Sequence, residues 1–460
     1  MRRRTVRRGL WSSAFLAEAC AAKISGPARN FASVSTDSRT VQAGALYVAL
    51  SGENFDGHRF VVQAIAAGAS GVLVSQPVEC NSSITVLQVS DTLKALQDMA
   101  HASRLAFDGP VVAVTGSNGK TTTKEMIASV LREQYGADAV LATVGNLNNH
   151  IGVPLALLAR KPSHRVAVIE MGMNHFGEIA VLTKLAEPTI AVITNAGPAH
   201  LEGVGSIEGV AEAKGEIFAG LRGEGVAVIN ADDAFAAYWQ VLTRTRERVS
   251  FGLNSKAIVS GQFTQPNRLN IQIDSAQCAI ELRQEGAHNA ANALAAAAVG
   301  HALSIPMVTI QRGLESAGNM RGRLTTRPFV NGTTLIDDSY NANPASMRAA
   351  AHVLLSHASP RILVVGDMGE LGELSDQLHE ELVRDIQQLY FDDVFTLGSR
   401  MKQAARTVGI AGQSFEDLES LADSLFPSLT PGATLLVKGS RSMAMERVIE
   451  KLENMSQGTH

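Results

Sequence analysis

The run Thr115-Gly116-Ser117-Asn118-Gly119-Lys120-Thr121-Thr122-Thr123 gathers residues able to hold a polyphosphate. Its glycines let main-chain amides approach phosphate oxygens, Lys120 can reach the outer phosphates, and Thr121 offers a hydroxyl to Mg2+. Gly116, Ser117, Asn118, Gly119, Lys120, Thr121 and Thr122 are therefore the expected cradle for ATP. The loop departs from the general pattern in carrying Thr115 where a further glycine is usual. A chance glycine turn is the competing reading, but Gly-Lys-Thr between a strand and a helix favours the cradle.

Phosphate-bound Mg2+ needs further hard oxygen ligands, and parallel sheets present them at the carboxyl ends of neighbouring strands. Glu170 ends the apolar run Val166 to Ile169, and His200 follows the run that ends at Ile193. Each has a plain alternative: Glu170 as a solvated strand end, His200 as a loop or core histidine. His101, His164 and His357 lack such a position, and Lys214, taken alone, reads as a solvated charge on a helix.

The elements that must position these groups are legible as alternating apolar runs and helical stretches. From about residue 30 to 90 short runs such as Ala45 to Leu50 and Gly71 to Val74 indicate a small α/β domain. The continuous runs Val111 to Val114, Val166 to Ile169, Thr189 to Ile193 and Val226 to Ile229 indicate a parallel sheet covered on both faces. Between 245 and 285 alternation, as in Leu269 to Ile273, predicts a small antiparallel flap before an Ala-rich helix from Asn289 to Ala302. Strands at Thr334 to Ile336, Ile362 to Val365, Val394 to Leu397 and Thr434 to Val437 indicate another doubly wound sheet. The expected fold is α/β in three domains: a small N-terminal α/β domain (1–84), a central P-loop parallel-sheet ATPase domain (85–318) and a C-terminal Rossmann-like domain (319–460).

Composition fits a folded enzyme: 460 residues, 45% hydrophobic and 18% charged, are ample for several cores. A formal charge of −4 gives no basic field, so nucleic acid is not an expected partner. Cys20, Cys80 and Cys278 lie too far apart for a zinc site or a disulfide scaffold, and no Gly-x-Ser-x-Gly elbow is present. The arginines Arg2, Arg3, Arg4, Arg7 and Arg8 open the chain like an export signal, but Glu18 cuts the following apolar stretch short. A frayed basic start is expected, and no stretch approaches the ~20 apolar residues of a membrane span. A soluble, cytoplasmic protein is the expectation.

Together these segments resemble the Mur ligase family, ATP-dependent enzymes that join amino acids or peptides to a UDP-sugar carboxylate. The loop matches the family's variant loop, and His288-Asn289-Ala290-Ala291-Asn292-Ala293 is similar to its adenine-side motif, which implies Asn292 near the nucleotide. Arg323 and Asp338 resemble the third-domain residues that meet ATP when the domains close. Asp338-Ser339-Tyr340-Asn341-Ala342-Asn343-Pro344, Gly366 to Gly372, Asn146-Leu147-Asn148-Asn149 and Val437 to Arg441 resemble the branch that adds D-alanyl-D-alanine to UDP-N-acetylmuramoyl-tripeptide. Ser35, Thr36, Asp37, Ser38 and Arg39, with Asp56 and His58, are similar to uridine-side motifs. The resemblance implies substrate contacts at those residues and at Asn146, Asn148, Asn149, Tyr340, Asn341 and Asn343. It implies catalytic roles for Lys120, Lys214, His200 and Glu170, and a pair of Mg2+ ions held by Thr121, Glu170, His200 and a carbamylated Lys214.

The implied partners are small molecules, the implied state is a monomer, and the implied reaction runs through an acyl phosphate. A hinge is expected at Gly318, Asn319 and Met320. The alternatives are another ligase of the family, of the diamino-acid-adding or folylpolyglutamate type, an ATP-dependent switch or scaffold, and a small-metabolite kinase.

Overall fold

A computed structural model describes residues 11–457 apart from 54, 319 and 410–412. The arginine-rich start and Asn319, at the expected hinge, lie outside the described residues. Three main sheets follow one another along the chain, of five, nine and six strands.

The first sheet runs in the order Lys23–Ser25, Thr85–Gln88, Gly71–Val74, Leu46–Val48, Val34–Ser35. Thr85–Gln88 pairs in parallel with Gly71–Val74 and antiparallel with Lys23–Ser25. That pairing corrects the expected boundary at 84: the strand buries Thr85 and Leu87 in the first domain and cannot belong to the second. Asp91 then caps the helix Thr92–Leu105, accepting from the amides of Leu93 and Lys94.

The nine-stranded sheet has the order Val140–Ala142, Val166–Glu170, Val111–Thr115, Ile190–Ile193, Val226–Asn230, Glu247–Gly252, Val259–Thr264, Arg268–Ile273, Ala276–Glu281. The first seven are parallel to their neighbours and the last two pairings are antiparallel. The expected flap is thus not a separate piece. Alternation reported correctly that one face of Arg268–Ile273 is buried, while pairing of Val259–Thr264 with Glu247–Gly252 makes these strands an extension of the parallel sheet.

Helices Lys120–Tyr135 and Ala287–Ala302 cover one face; Ala293 and Ala295 through Ala298 are all fully buried there, their small side chains letting the helix lie close to the strands. The third sheet, Thr325–Pro328, Thr334–Asp338, Thr434–Lys438, Arg361–Gly366, Asp393–Leu397, Ser414–Phe415, is parallel except at its first strand. The three-domain α/β architecture read from the sequence is the one observed.

Candidate active site

The carboxyl ends of the second and third sheets face each other across a cavity of about 1280 Å3. On the near side Val111–Thr115 runs into the glycine loop and on into the helix that starts at Lys120. Two conformations there belong to glycine: Gly116 at φ +152° lies against Thr194, and Gly119 at φ +76° lies against Asn292. A Cβ at either would overlap a side-chain oxygen.

The end of the neighbouring strand clamps the loop. Asn118 N–H donates to Asn195 Oδ1 at 2.9 Å, and the Asn118 carbonyl accepts from Thr194 Oγ1 at 2.6 Å and Asn195 Nδ2 at 3.1 Å. Ser117 Oγ bonds the Gly197 main chain in both directions at 3.0 Å. Beneath the loop, Asn292 Oδ1 accepts from Thr123 Oγ1 at 3.2 Å. Lys120 Nζ folds back onto the carbonyls of Gly116 and Ser117, at 2.6 and 3.3 Å, and burial lowers its pKa from the usual lysine range.

Glu170 closes its strand at 2% exposure; Oε1 accepts from Asn148 Nδ2 at 2.8 Å, while Oε2 is buried without a partner. A buried, unpartnered carboxylate oxygen beside a phosphate loop is suited to a cation. His200, left-handed at φ +57°, has Nδ1 2.7 Å from Glu370 Oε2 of the third domain, off the line of the ring N–H. Burial lowers the His200 pKa against the opposing pull of Glu370.

Lys214 is not the solvated charge it resembles in the sequence. It sits near the end of the helix Ile207–Gly215 at 1% exposure and, among the described residues, has no hydrogen-bond or ion-pair partner. Burial, then Lys120, drives its pKa well below the lysine norm.

The third domain brings Arg323, Asp338, Tyr340, Asn341 and Asn343 to the same cavity. Asp338 ends Thr334–Asp338 and pairs at 2.6 Å with Lys438, which ends Thr434–Lys438. Burial raises the Asp338 pKa and Lys438 opposes it. The Arg323 guanidinium stands 4.3 Å from the Tyr340 ring centroid. Asn146, Asn148 and Asn149 line the near side, and Asn149 Oδ1 accepts from the Ile151 and Gly152 amides at the start of the helix Gly152–Leu158.

The first-domain set stays outside this cavity. Arg39 forks onto Asp37 at 2.9 and 2.8 Å, holding the carboxyl at about 2. Asp56 receives His58 N–H and lies 2.6 Å from its Nδ1. Ser38 Oγ donates to Gln63, and Ser35 Oγ bonds within its own turn beside Thr36. Lys438, Glu370 and Arg441 lie in stretches that the resemblance covers but were not singled out as site residues, nor was Asn195; all four are at the cavity. For Lys438 the strand-end rule that found Glu170 would have served; Asn195 and Glu370 sit just beyond strands and carried only that weaker signal.

Facing strand ends, a phosphate loop on one sheet and a cation-rich third sheet define a nucleotide-using enzyme assembled from three domains. Family models match each sheet in turn: residues 30–104 the Mur ligase family, catalytic domain, 114–300 the Mur ligase middle domain, and 322–441 the Mur ligase, glutamate ligase domain. The chain belongs to the Mur ligase family. It is 40% identical over 430 residues to the UDP-N-acetylmuramoyl-tripeptide–D-alanyl-D-alanine ligase of Escherichia coli (strain K12), covering 91% of this chain and 93% of that one. The fold is similar to that of MurF from Acinetobacter baumannii, with TM-score 0.90, 35% identity and coverage of 98% and 100%. It is also similar to MurF ligase from Thermotoga maritima in complex with ADP, with TM-score 0.79, 28% identity and coverage of 93% and 98%.

Proposed function

We propose that the chain joins D-alanyl-D-alanine to UDP-N-acetylmuramoyl-tripeptide at the expense of ATP, giving the pentapeptide precursor for peptidoglycan synthesis. The observation that carries this is the shared cavity, where Asn343 of the third domain bonds Asn118 of the phosphate loop at 2.8 Å. Similarity over the whole chain to ligases of that name supports the choice of substrates.

The tripeptide carboxylate attacks the γ-phosphorus of ATP, the bond to ADP breaks, and an acyl phosphate forms. The dipeptide amine then attacks the acyl carbon, loses its proton, and phosphate leaves. Such a reaction asks the protein to align reactants and neutralise charge. The loop amides and Lys120 hold the outer phosphates, and Asn292 supports the loop on the adenine side. Arg323 approaches from the third domain. Thr121, Glu170, His200 and a carbamylated Lys214 would hold Mg2+, which when bound screens phosphate charge for the attacking carboxylate.

Their donor set supports that reading. Glu170 offers a buried oxygen without a partner, and the Thr121 hydroxyl and a carbamate on Lys214 would complete the ligands around it and His200. Burial at Lys214 also works against the ammonium and toward the neutral amine, the form that adds CO2.

Ser35 to Arg39, Asp56 and His58 would hold the UDP end, and Asn146, Asn148, Asn149, Tyr340 and Asn341 the peptide ends. The proposed state is a monomer. Among the described residues no helix is long and apolar enough to cross a membrane, and the proposed place of work is the cytoplasm.

The test is phosphate release from Mg-ATP with each substrate alone and with both, with the product weighed by mass spectrometry. Release requiring both, with a pentapeptide product, is expected. Release indifferent to them would replace the ligase with a switch, and a stable phosphorylated product would indicate a kinase.

A further inference from the structure

The helix Pro344–Leu355 begins with a capping box on Asn343: its Oδ1 accepts from Ser346 N–H at 2.9 Å, and Ser346 Oγ accepts from Asn343 N–H at 3.0 Å. That cap fixes the amide's orientation and turns Nδ2 outward, where it donates to Asn118 Oδ1 across 225 residues of sequence. Among the described hydrogen bonds it alone ties the third domain to the phosphate loop. The other links between these domains run elsewhere, His200 to Glu370 and His357 to Glu285, at 2.7 and 2.9 Å.

Both ends of the bridge are rigidly based. Asn118 has its main chain gripped by Thr194 and Asn195, so its side chain follows the loop. Asn343 ends the stretch 338–343, in which the Asn341 carbonyl accepts from Lys438 Nζ at 2.8 Å and Asn341 Oδ1 from Arg441 N–H at 3.1 Å. A shift of the phosphate loop is therefore passed through two amides to the segment carrying Asp338, Tyr340 and Asn341.

Resting on the ligase reading above, we infer that Asn343 is a positioning residue with two duties: it caps its helix, and it sets the third domain in register with the phosphate loop so that the amine meets the activated carboxylate.

Serine caps helices about as well as asparagine but is too short to span to Asn118, so Asn343→Ser separates the duties, while Asn343→Ala removes both. With full-length protein, Asn343→Ser should melt with the wild type and Asn343→Ala a few degrees lower, roughly as loss of a cap implies. The serine variant should bind ADP within about twofold of wild type. Its dipeptide-dependent phosphate release should fall roughly five- to tenfold, the weight of one hydrogen bond, with the KM for the dipeptide raised. X-ray scattering should show less compaction with a non-hydrolysable ATP analogue plus tripeptide substrate.

Wild-type turnover and compaction in Asn343→Ser would overturn the inference and leave only the cap. A loss of ADP affinity as large as the loss of turnover would do the same, by placing the fault in the nucleotide loop. Failure of the ligase reading is distinct, since the unmodified protein would then show no dipeptide dependence at all.

Discussion

Replacing Gly119 by alanine tests the geometry of the phosphate loop in a form that can be summed beforehand. The residue sits at φ +76° as the N-cap of Lys120–Tyr135, and a side chain held in that left-handed region costs about 1–2 kcal/mol. The added methyl would lie 2.9 Å from Asn292 Cγ and overlap its Oδ1. Asn292 is 6% exposed and cannot swing into solvent; moving it breaks the bond from Thr123 Oγ1, worth about 1 kcal/mol. The total is about 2–3 kcal/mol. It emerges as lost stability if the loop keeps its shape, or as lost ADP affinity, up to about a hundredfold, if the loop relaxes.

Urea unfolding and calorimetric titration with ADP, run on the same variant, should show losses that add to that sum. Gly409→Ala is the control: φ is +92° but nothing lies within 4 Å of its Cβ position, so only the backbone cost remains and ADP binding is unchanged. Wild-type stability together with wild-type ADP affinity in Gly119→Ala would refute the reasoning, because the strain would then have nowhere to appear.

Lys214→Ala should lower ligation by at least about a hundredfold, with partial recovery from added short carboxylates, and labelled bicarbonate should give the wild type a carbamate carbon signal. Full activity in that variant without either additive would remove Lys214 from the site. Asp338→Asn leaves the Lys438 ammonium, 3% exposed, without its counter-charge and should destabilise the third domain by about 3 kcal/mol in urea; a change below about 0.5 kcal/mol would show that the pair is dispensable. Burial brings the His288 pKa down to about 4, so the unfolded chain takes up this proton first. Stability should be full above pH ~6.5 and fall between ~6.5 and ~4. His288→Asn should flatten that part of the profile, and an unaltered slope across the interval would rule the histidine out as its source.

What could be read in the sequence was whatever depends on neighbours along the chain. Continuous apolar runs such as Val111 to Val114 mark strands buried on both faces, and the glycines and Lys120 mark a loop that must meet phosphate. Position at a strand's carboxyl end brought Glu170 forward, and the same argument applies to Lys438. Pairing is another matter. Nothing local tells Thr85–Gln88 that its partner is Gly71–Val74 rather than the sheet that follows, or joins Val259–Thr264 to Glu247–Gly252. Taken alone Lys214 reads as a solvated charge, because a lysine on a short helix is normally wet, and only the resemblance brought it forward; packing in three dimensions is what seals it beside Lys120. The bond between Asn118 and Asn343 joins two helix N-termini in different domains, each with a sufficient local reason to exist.

The charges of the cavity explain why the work is split between two sheets. Lys120 and Arg323 approach from opposite domains, and Arg323, after burial and against Glu170, helps lower the Lys120 pKa. Among the described residues neither makes an ion pair; Glu170 acts on Lys120, and Asp338 on Arg323, only from a distance. Lys120 rests on main-chain carbonyls, and Arg323 lies on Tyr340, whose ring attracts a cation without cancelling its charge. Lys438, by contrast, is spent on Asp338. Two cations on opposite domains repel each other in part, and a triphosphate between them carries enough charge to reverse the sign of that interaction. A bound triphosphate would therefore add to the cross-domain bonds that already hold the sheets together.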